Sequence, residues 1–197
     1  MRILAITLIL LFLSASAKAA QISILSGVEN GTIILNQAGE DKSYAIGGLP
    51  LSVGLVSDLD SLPISVRYAG AMLIDFPNSQ LSRLSLEIEA HYYLFGGPWK
   101  RLHEIGPVTV TNVNAQAIAV LFQTSYSNYN ATSINNADVS ISGSVLEARI
   151  GVSYSYQWSP TLCYDAELQV TAMSFHSSID RIKPSMVAVL FGPRLLY

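Results

Sequence analysis

Hydrophobic and polar residues alternate one by one through most of this chain, and a period of two is typical of β-strands. The clearest example is Leu81–Phe95, where leucine, isoleucine and tyrosine alternate with serine, arginine, glutamate and histidine. Segments of this kind are separated by turn-forming residues. The predicted strands are Tyr44–Ser57, Pro63–Asp75, Leu81–Phe95, Leu102–Thr111, Gln116–Tyr126, Ser144–Gln157, Thr161–Phe175 and Ser185–Tyr197.

The charged residues of the clearest strands all fall on one face. Strict alternation of this kind requires one apolar and one polar environment. The apolar stripes carry aromatic residues towards their ends and aliphatic residues between them, which is the distribution that a bilayer favours. We therefore predict that the apolar faces contact lipid and that the charges line the lumen of a barrel. The predicted lumen charges are Arg67, Asp75, Arg83, Glu87, Glu89, His91, Glu147, Arg149, Asp165, Glu167 and Arg194.

The predicted fold is an all-β, antiparallel, up-and-down transmembrane barrel of about eight strands over residues 44–197. Residues 20–43 are left unassigned. Gly31–Gln37 is apolar enough for a further strand, so a ten-strand barrel is the structural alternative. A soluble barrel or sandwich with its charged face in water also fits the alternation, because the pattern does not say which face points inward.

The connections between predicted strands differ in length. Phe76–Gln80, Asn112–Ala115 and Trp158–Pro160 are short, whereas Ser127–Gly143 is long and rich in asparagine and serine. Outer-membrane barrels have short periplasmic turns and longer extracellular loops. We therefore expect the three short turns at the periplasmic end, together with the C-terminus, and the long loop outside the cell. The short Asp58–Leu62 connection is an exception, because this count of strands makes it extracellular.

The first residues have the layout of a secretory signal peptide. Arg2 precedes an apolar run, Ile3–Leu13, and small residues in Ala-x-Ala order follow it. The run is too short to span a bilayer as a helix. We predict a signal peptide over residues 1–19, with cleavage after Ala19.

The composition narrows the class of protein further. Charged residues make up 13% of the chain, against about 25% in ordinary soluble domains. No second stretch approaches 18 consecutive apolar residues, so no transmembrane helix is predicted in the mature chain. Cys163 is the only cysteine, which rules out an internal disulfide. Loss of Arg2 and Lys18 takes the net charge from −3 to about −5, which is unsuited to a nucleic-acid partner.

The C-terminal segment resembles the signal by which bacterial outer-membrane β-barrels are recognised by their assembly machinery. The matching positions are Gly192, Leu195 and the terminal aromatic residue Tyr197. Leu190 stands where a polar residue is usual, and Pro193 interrupts the strand because proline donates no ladder hydrogen bond. The resemblance implies that the assembly machinery is a partner through this strand.

Taken together, these features resemble the small eight-stranded outer-membrane barrels typified by the transmembrane domain of outer membrane protein A. The resemblance is architectural, covers residues 44–197 and identifies no subfamily. It implies the outer membrane of a Gram-negative bacterium, with outer-membrane lipid as a partner. The extracellular partner, the ligand and the physiological role stay open.

One short motif resembles an enzyme family. His176 and Ser178 lie two residues apart, as in the lipid A deacylases, which are also eight-stranded outer-membrane barrels. In that family a glutamate from a neighbouring strand orients the histidine. No Glu or Asp follows in the last predicted strand, and Asp180 lies in the same loop as the motif. His176 and Ser178 are therefore weak catalytic candidates, and no catalysis is the favoured interpretation.

A second set of residues has the spacing of metal ligands. Glu87, Glu89 and His91 share one strand face at intervals of two residues, which suits oxygen and nitrogen ligation. Carboxylates paired with lumen arginines are the commoner outcome, so neither a metal nor another cofactor is predicted. The predicted function is an integral outer-membrane barrel with a structural or loop-mediated interaction role. The alternatives are a narrow pore and a lipid A-modifying enzyme of the outer leaflet.

Overall fold

The computed structural model describes residues 21–37, 40–59, 62–75, 81–96, 104–105, 108–109, 115–134, 140–176 and 182–196. Within them, eight antiparallel strands close into a barrel in the order β1-β10-β9-β8-β7-β4-β3-β2. A separate short hairpin, β5–β6, lies between β4 and β7 in the chain. The strands are β1 Gln21–Gln37, β2 Glu40–Asp58, β3 Ile64–Asp75, β4 Leu81–Phe95, β5 Glu104–Ile105, β6 Val108–Thr109, β7 Gln116–Ala131, β8 Ile141–Ser159, β9 Leu162–His176 and β10 Ile182–Leu195.

The prediction of an eight-strand up-and-down barrel is confirmed, and the ten-strand alternative is wrong. Among the described residues no helix is long and apolar enough to cross a membrane. The predicted signal peptide, residues 1–19, lies outside the described residues.

Two of the strand assignments are corrected by the structure. Residues 21–37, left unassigned from the sequence, form β1 and close the barrel between β2 and β10. In the segment Leu102–Thr111, predicted as a barrel strand, the described residues form the two-residue strands β5 and β6, which are not part of the barrel. Gly106-Pro107 separates these two strands in the sequence. A proline has no N–H for a central ladder, so the apolar residues on either side of it do not build one long strand.

These two corrections reverse part of the predicted topology. Once β1 is added to the strand count and residues 102–111 are removed from it, the strands between residues 44 and 95 run in the direction opposite to the predicted one. The strands after residue 116 keep their predicted direction. The connection 76–80 therefore lies at the end opposite to residues 160–161. The longest connection, residues 96–115, lies at the end where β1 begins and β10 ends, which we call the terminal end. The prediction that only short turns lie at the end with the C-terminus is therefore wrong. The short connection Asp58–Leu62 is no longer an exception to the predicted loop lengths, because it also lies at the terminal end.

The Ser127–Gly143 segment is shorter as a loop than predicted. β7 continues to Ala131 and β8 begins at Ile141. Ser127, Tyr129 and Ala131 remain buried on the inner face, so the period of two extends beyond the apolar part of the strand. The connection between β7 and β8 lies at the end opposite to the terminal end, which we call the far end.

Strands β9 and β10 pair over only part of their length. Their ladder runs from Leu162↔Leu195 to Val170↔Val187, and in the described part of the chain no ladder pair joins residues 171–176 to residues 182–186. Instead, the Met186 N–H donates to Thr171 Oγ1 at 3.1 Å. Two causes lie at this seam: Ala172 is bulged out of the β8–β9 register, and Pro184 has no N–H to donate. After the bulge the alternation of the two faces shifts by one residue, so the outward positions are Met173 and Phe175.

Burial in this barrel is inverted relative to a soluble protein. Thirty-three large hydrophobic side chains of the described residues are exposed, among them Leu84, Leu86 and Phe122 at 56–66%. On β8 the outward apolar positions extend from Leu146 to Trp158, more than the roughly nine to eleven residues with which a tilted strand crosses a bilayer. The barrel therefore has the surface of a membrane barrel, with an apolar belt outside and polar groups inside.

Candidate functional site

The interior of the barrel is divided into an apolar half and a charged half. At the far end, buried side chains from β1–β4, β7, β8 and β10, together with Ile134 of the β7–β8 connection, pack into one hydrophobic cluster, which we call the apolar plug. Its residues are Ile33, Leu35, Ile46, Leu73, Leu81, Tyr129, Ala131, Ile134, Ile141, Val145, Ile182 and Met186. Below it, towards the terminal end, charged and hydroxyl-bearing side chains fill most of the lumen, together with two small apolar clusters, one of Leu25, Ala188 and Leu190 and the other of Tyr93, Ala117 and Ala119. The polar pattern predicted from the sequence thus applies to only part of the lumen.

The charges nearest the plug form a balanced network that joins three non-adjacent strands. Glu29 of β1 accepts hydrogen bonds from both Arg83 of β4 and Arg149 of β8. Arg83 Nη2 lies 2.8 Å from Glu29 Oε2, and Arg149 Nη2 lies 2.9 Å from Oε1. Arg149 also donates to Glu147 at 3.1 Å, and the Tyr129 hydroxyl donates to the same carboxylate at 2.7 Å. We call these four charges the plug-side network; it holds two carboxylates and two guanidinium groups.

Glu29 was missed by the sequence analysis. Its strand alternates poorly, because polar Ser26 and Asn30 share the outward face with Ile24 and Val28. The inward positions of this strand are Gln21, Ser23, Leu25, Gly27 and Glu29. Because this row mixes polar and apolar residues, it places Glu29 in the lumen only after the segment has been assigned as a strand.

The charges in the middle of the lumen form a second group around Arg67 of β3, which we call the central cluster. Arg67 Nη1 lies 3.9 Å from a carboxylate oxygen of both Glu87 and Glu89 on β4. His91, on the same face of β4, hydrogen-bonds through Nε2 to Glu89 Oε1. Glu167 of β9 reaches in from the other side, with its Oε1 at 4.0 Å from His91 Nε2.

The third group lies at the terminal end. Arg194 of β10 donates to Asp165 of β9 at 2.8 Å, and Ser155 donates to the same oxygen at 2.6 Å. Cys163 is buried beside them, with its Sγ 3.9 Å from Arg194 Nη2. This group is a single ion pair with a thiol next to it.

The structure thus places ten of the eleven predicted lumen charges inside the barrel and brings them together in three groups. The backbone of Asp75 ends β3, but its side chain lies outside the described residues. His176 ends β9 opposite Val145; its side chain and Ser178 are likewise not among the described residues. The deacylase-like motif therefore stays a prediction.

Two of the three positions of the predicted assembly signal are described. Leu195 is the last residue of β10 and pairs with Ile22 and Leu162. At Gly192 a β-carbon would stand 1.9 Å from the carbonyl oxygen of Ile24. A glycine is required there because the backbone of β1 approaches too closely for any side chain. Tyr197 lies outside the described residues.

Comparison with known proteins identifies similar folds but no family. No protein-family model matches the chain, and no curated protein matches it significantly. Among solved structures, it is similar to Neisserial surface protein A, at 11% identity over 89% of this chain and 97% of that one, with a TM-score of 0.46. It is also similar to the N-terminal β-barrel domain of OprF from Pseudomonas aeruginosa, at 14% identity over 88% and 97% with a TM-score of 0.49. A major outer membrane protein of Thermus thermophilus is similar at 12% identity over 89% and 99%, with a TM-score of 0.41. These neighbours are bacterial barrels of the kind that the sequence resembles.

Proposed function

We propose that this chain is an integral outer-membrane barrel with a structural or loop-mediated interaction role and without catalysis. The observation that carries the proposal is the inversion of burial, with an apolar belt outside and ion pairs inside. A contiguous apolar surface of this extent is not maintained in water by a soluble monomer. The soluble alternative would place Leu84, Leu86 and Phe122 in solvent and Glu89 and Glu147 in the core.

The filling of the lumen favours a closed barrel over a pore. The apolar plug occupies the far end, and cross-barrel ion pairs occupy the middle. Eight strands enclose an interior that side chains are able to fill. A conducting path would have to pass residues such as Ile33, Tyr129 and Ile182, which are fully buried against one another.

The far end supplies the surface for an interaction role. There β7 and β8 extend above the apolar belt with exposed asparagine and serine side chains. Ser144 donates to Asn128 at 2.6 Å, and Ser142 donates to Asn130 at 3.3 Å. These pairs form a hydrogen-bonding surface on a rigid β-ribbon, which suits a partner that binds by polar contacts.

The proposal is tested by labelling two neighbouring residues of β8 in a Cys163→Ser background. Val152 faces outward at 51% exposure, whereas Ser153 faces inward at 3%. In intact membranes, a lipid-soluble maleimide should modify Val152→Cys and spare Ser153→Cys. Ser142→Cys, on the exposed far end, is the control that should react with a water-soluble maleimide. Labelling of Ser153→Cys by the water-soluble reagent, with Val152→Cys inert to both, would contradict the membrane assignment.

Fractionation and conductance test the remaining parts of the proposal. We expect the protein in sarkosyl-resistant outer membranes, with a heat-modifiable mobility on gels, and recovery in the soluble periplasm would contradict this. In planar bilayers we expect no unitary conductance at high protein load. Regular single-channel steps would favour a pore.

A further inference from the structure

We propose that the central cluster contains a binding site for one divalent transition-metal ion, formed by Glu89, His91 and Glu167. One nitrogen and two carboxylate oxygens from these three buried residues lie within 4.8 Å of one another. Imidazole and carboxylate are ordinary ligands of Zn²⁺, and three protein ligands leave room for water at a fourth position. Because Glu89 and His91 come from β4 and Glu167 comes from β9, the ion would also link two strands that are not neighbours in the barrel.

The three side chains are already turned towards a common point. Gln169 Nε2 donates to Oε2 of Glu89 at 3.0 Å and to Oε2 of Glu167 at 2.8 Å. This leaves Oε1 of both carboxylates directed at His91 Nε2. The other ring nitrogen of His91 is held by Ser153 Oγ at 3.1 Å. Outer partners of this kind fix the orientation of metal ligands.

The net negative charge around the cluster also favours the binding of a cation. Within 4.0 Å, Glu87 and Glu89 meet only the guanidinium group of Arg67 among the described residues, and Glu167 meets none. The described lumen as a whole holds six buried carboxylates and four guanidinium groups, which gives a net charge of −2 when His91 is neutral. The other two groups of lumen charges are balanced. Uncompensated charge is costly in a low-dielectric interior, and a divalent cation would cancel this excess. When Nε2 of neutral His91 binds the ion, the single ring proton lies on Nδ1, where Ser153 Oγ can accept it as a hydrogen bond.

The site lies below the apolar plug, on the side of the terminal end. The side chain of His91 keeps 10% exposure, whereas that of Glu89 has none. Between the site and that end lie buried polar groups such as Ser65 and Ser155, together with a small apolar cluster of Tyr93, Ala117 and Ala119.

Zinc binding to the folded full-length mature protein in detergent micelles tests this inference, after chelator treatment and equilibrium dialysis at neutral pH. We expect one Zn²⁺ per chain. His91→Gln and Glu167→Gln should each weaken binding at least tenfold. Glu147→Gln, a matched change in the plug-side network, should still bind one ion. Heat-modifiable gel mobility verifies that each variant is folded.

A spectroscopic measurement on the wild-type chain keeps the inference testable even if the variants do not fold. Zinc K-edge absorption should show only nitrogen and oxygen neighbours at about 2.0–2.2 Å. Sulfur at about 2.3 Å would mean that the ion sits at Cys163 instead, and this result would overturn the assignment. Fewer than one ion per five chains, or equal affinity in all three variants, would also overturn it and would leave protons as the counter-charge of the cluster.

Discussion

The plug-side network and the central cluster are built from the same residue types but differ in their charge balance. In the first, Glu29 and Glu147 are matched by Arg83 and Arg149 through bonds of 2.8–3.1 Å. In the second, Arg67 lies 3.9 Å from two carboxylates. Arg67 instead uses its Nε to donate to Ser23 Oγ at 2.6 Å. Short charge-assisted bonds contribute stability, whereas the longer contacts of Arg67 leave part of the carboxylate charge uncompensated.

The difference suggests a division of labour inside the barrel. The plug-side network lies against the apolar plug and ties β1, β4 and β8 together across the lumen, so its role is structural. The central cluster carries the excess negative charge of the lumen, and the side chain of its His91 keeps 10% exposure. A group that is left unbalanced in an otherwise paired interior is the stronger candidate for binding something.

The largest effect is expected from removing a cation of the plug-side network. Arg83→Met keeps a similar length but leaves Glu29 with Arg149 alone, which also serves Glu147. Breaking a buried pair in this way costs about 3–5 kcal/mol. Guanidinium unfolding of the barrel refolded into lipid vesicles, followed by tryptophan fluorescence, measures the change. Lys183→Met, at an exposed position of β10, is the control and should change the free energy of unfolding by less than about 0.5 kcal/mol. Equal effects of the two substitutions would show that the network contributes no stability.

How far the sequence predicts this interior depends on the strand. β4 and β8 alternate without interruption, so their parity alone places Arg83, Glu87, Glu147 and Arg149 inside. In β1 the outward Ser26 and Asn30 weaken the alternation, and Glu29 was missed for that reason. Parity also fails after the bulge at Ala172, because one extra residue exchanges the two faces.

The pairing of the charges was beyond sequence reasoning for a different reason. The bond between Glu29 and Arg149 joins residues 120 positions apart on strands that are not neighbours. Which charges meet across a lumen depends on the shear of the barrel, and this is set by the registers of all eight strands together. The same holds for the metal ligands. The sequence places Glu87 next to Glu89 and His91, whereas the structure supplies Glu167 from β9 as the third ligand.

An intermediate effect is expected at the hydrogen bond between Tyr129 and Glu147. Tyr129→Phe keeps the ring in the apolar plug and removes only the hydroxyl donor, 2.7 Å from Glu147 Oε1. A hydrogen bond to a charged group contributes about 1.5–3 kcal/mol, and we expect a loss in this range by the same unfolding measurement. Tyr126→Phe, whose ring faces outward, should cost less than about 0.5 kcal/mol. A Tyr129→Phe variant as stable as Tyr126→Phe would show that water replaces the hydroxyl and that the plug does not keep the network dry.

The smallest effect on the free energy of unfolding is expected from neutralising one carboxylate of the central cluster. The same change, glutamate to glutamine, can be made in the plug-side network, so the two groups can be compared directly. Glu87→Gln retains an oxygen that can accept the hydrogen bond from Ser52 Oγ, 3.2 Å from Glu87 Oε2. It removes a negative charge that lies two residues from Glu89 on the same face. Relief of this repulsion offsets the weakened contact with Arg67, so in metal-free protein we expect a change of less than about 1 kcal/mol, the scale of one ordinary hydrogen bond.

Glu147→Gln instead removes a charge that Arg149 and Tyr129 both use, and it should cost about 1.5–3 kcal/mol. If both substitutions destabilise the barrel equally, the central cluster is as tightly paired as its neighbour, and excess charge is not what distinguishes the two.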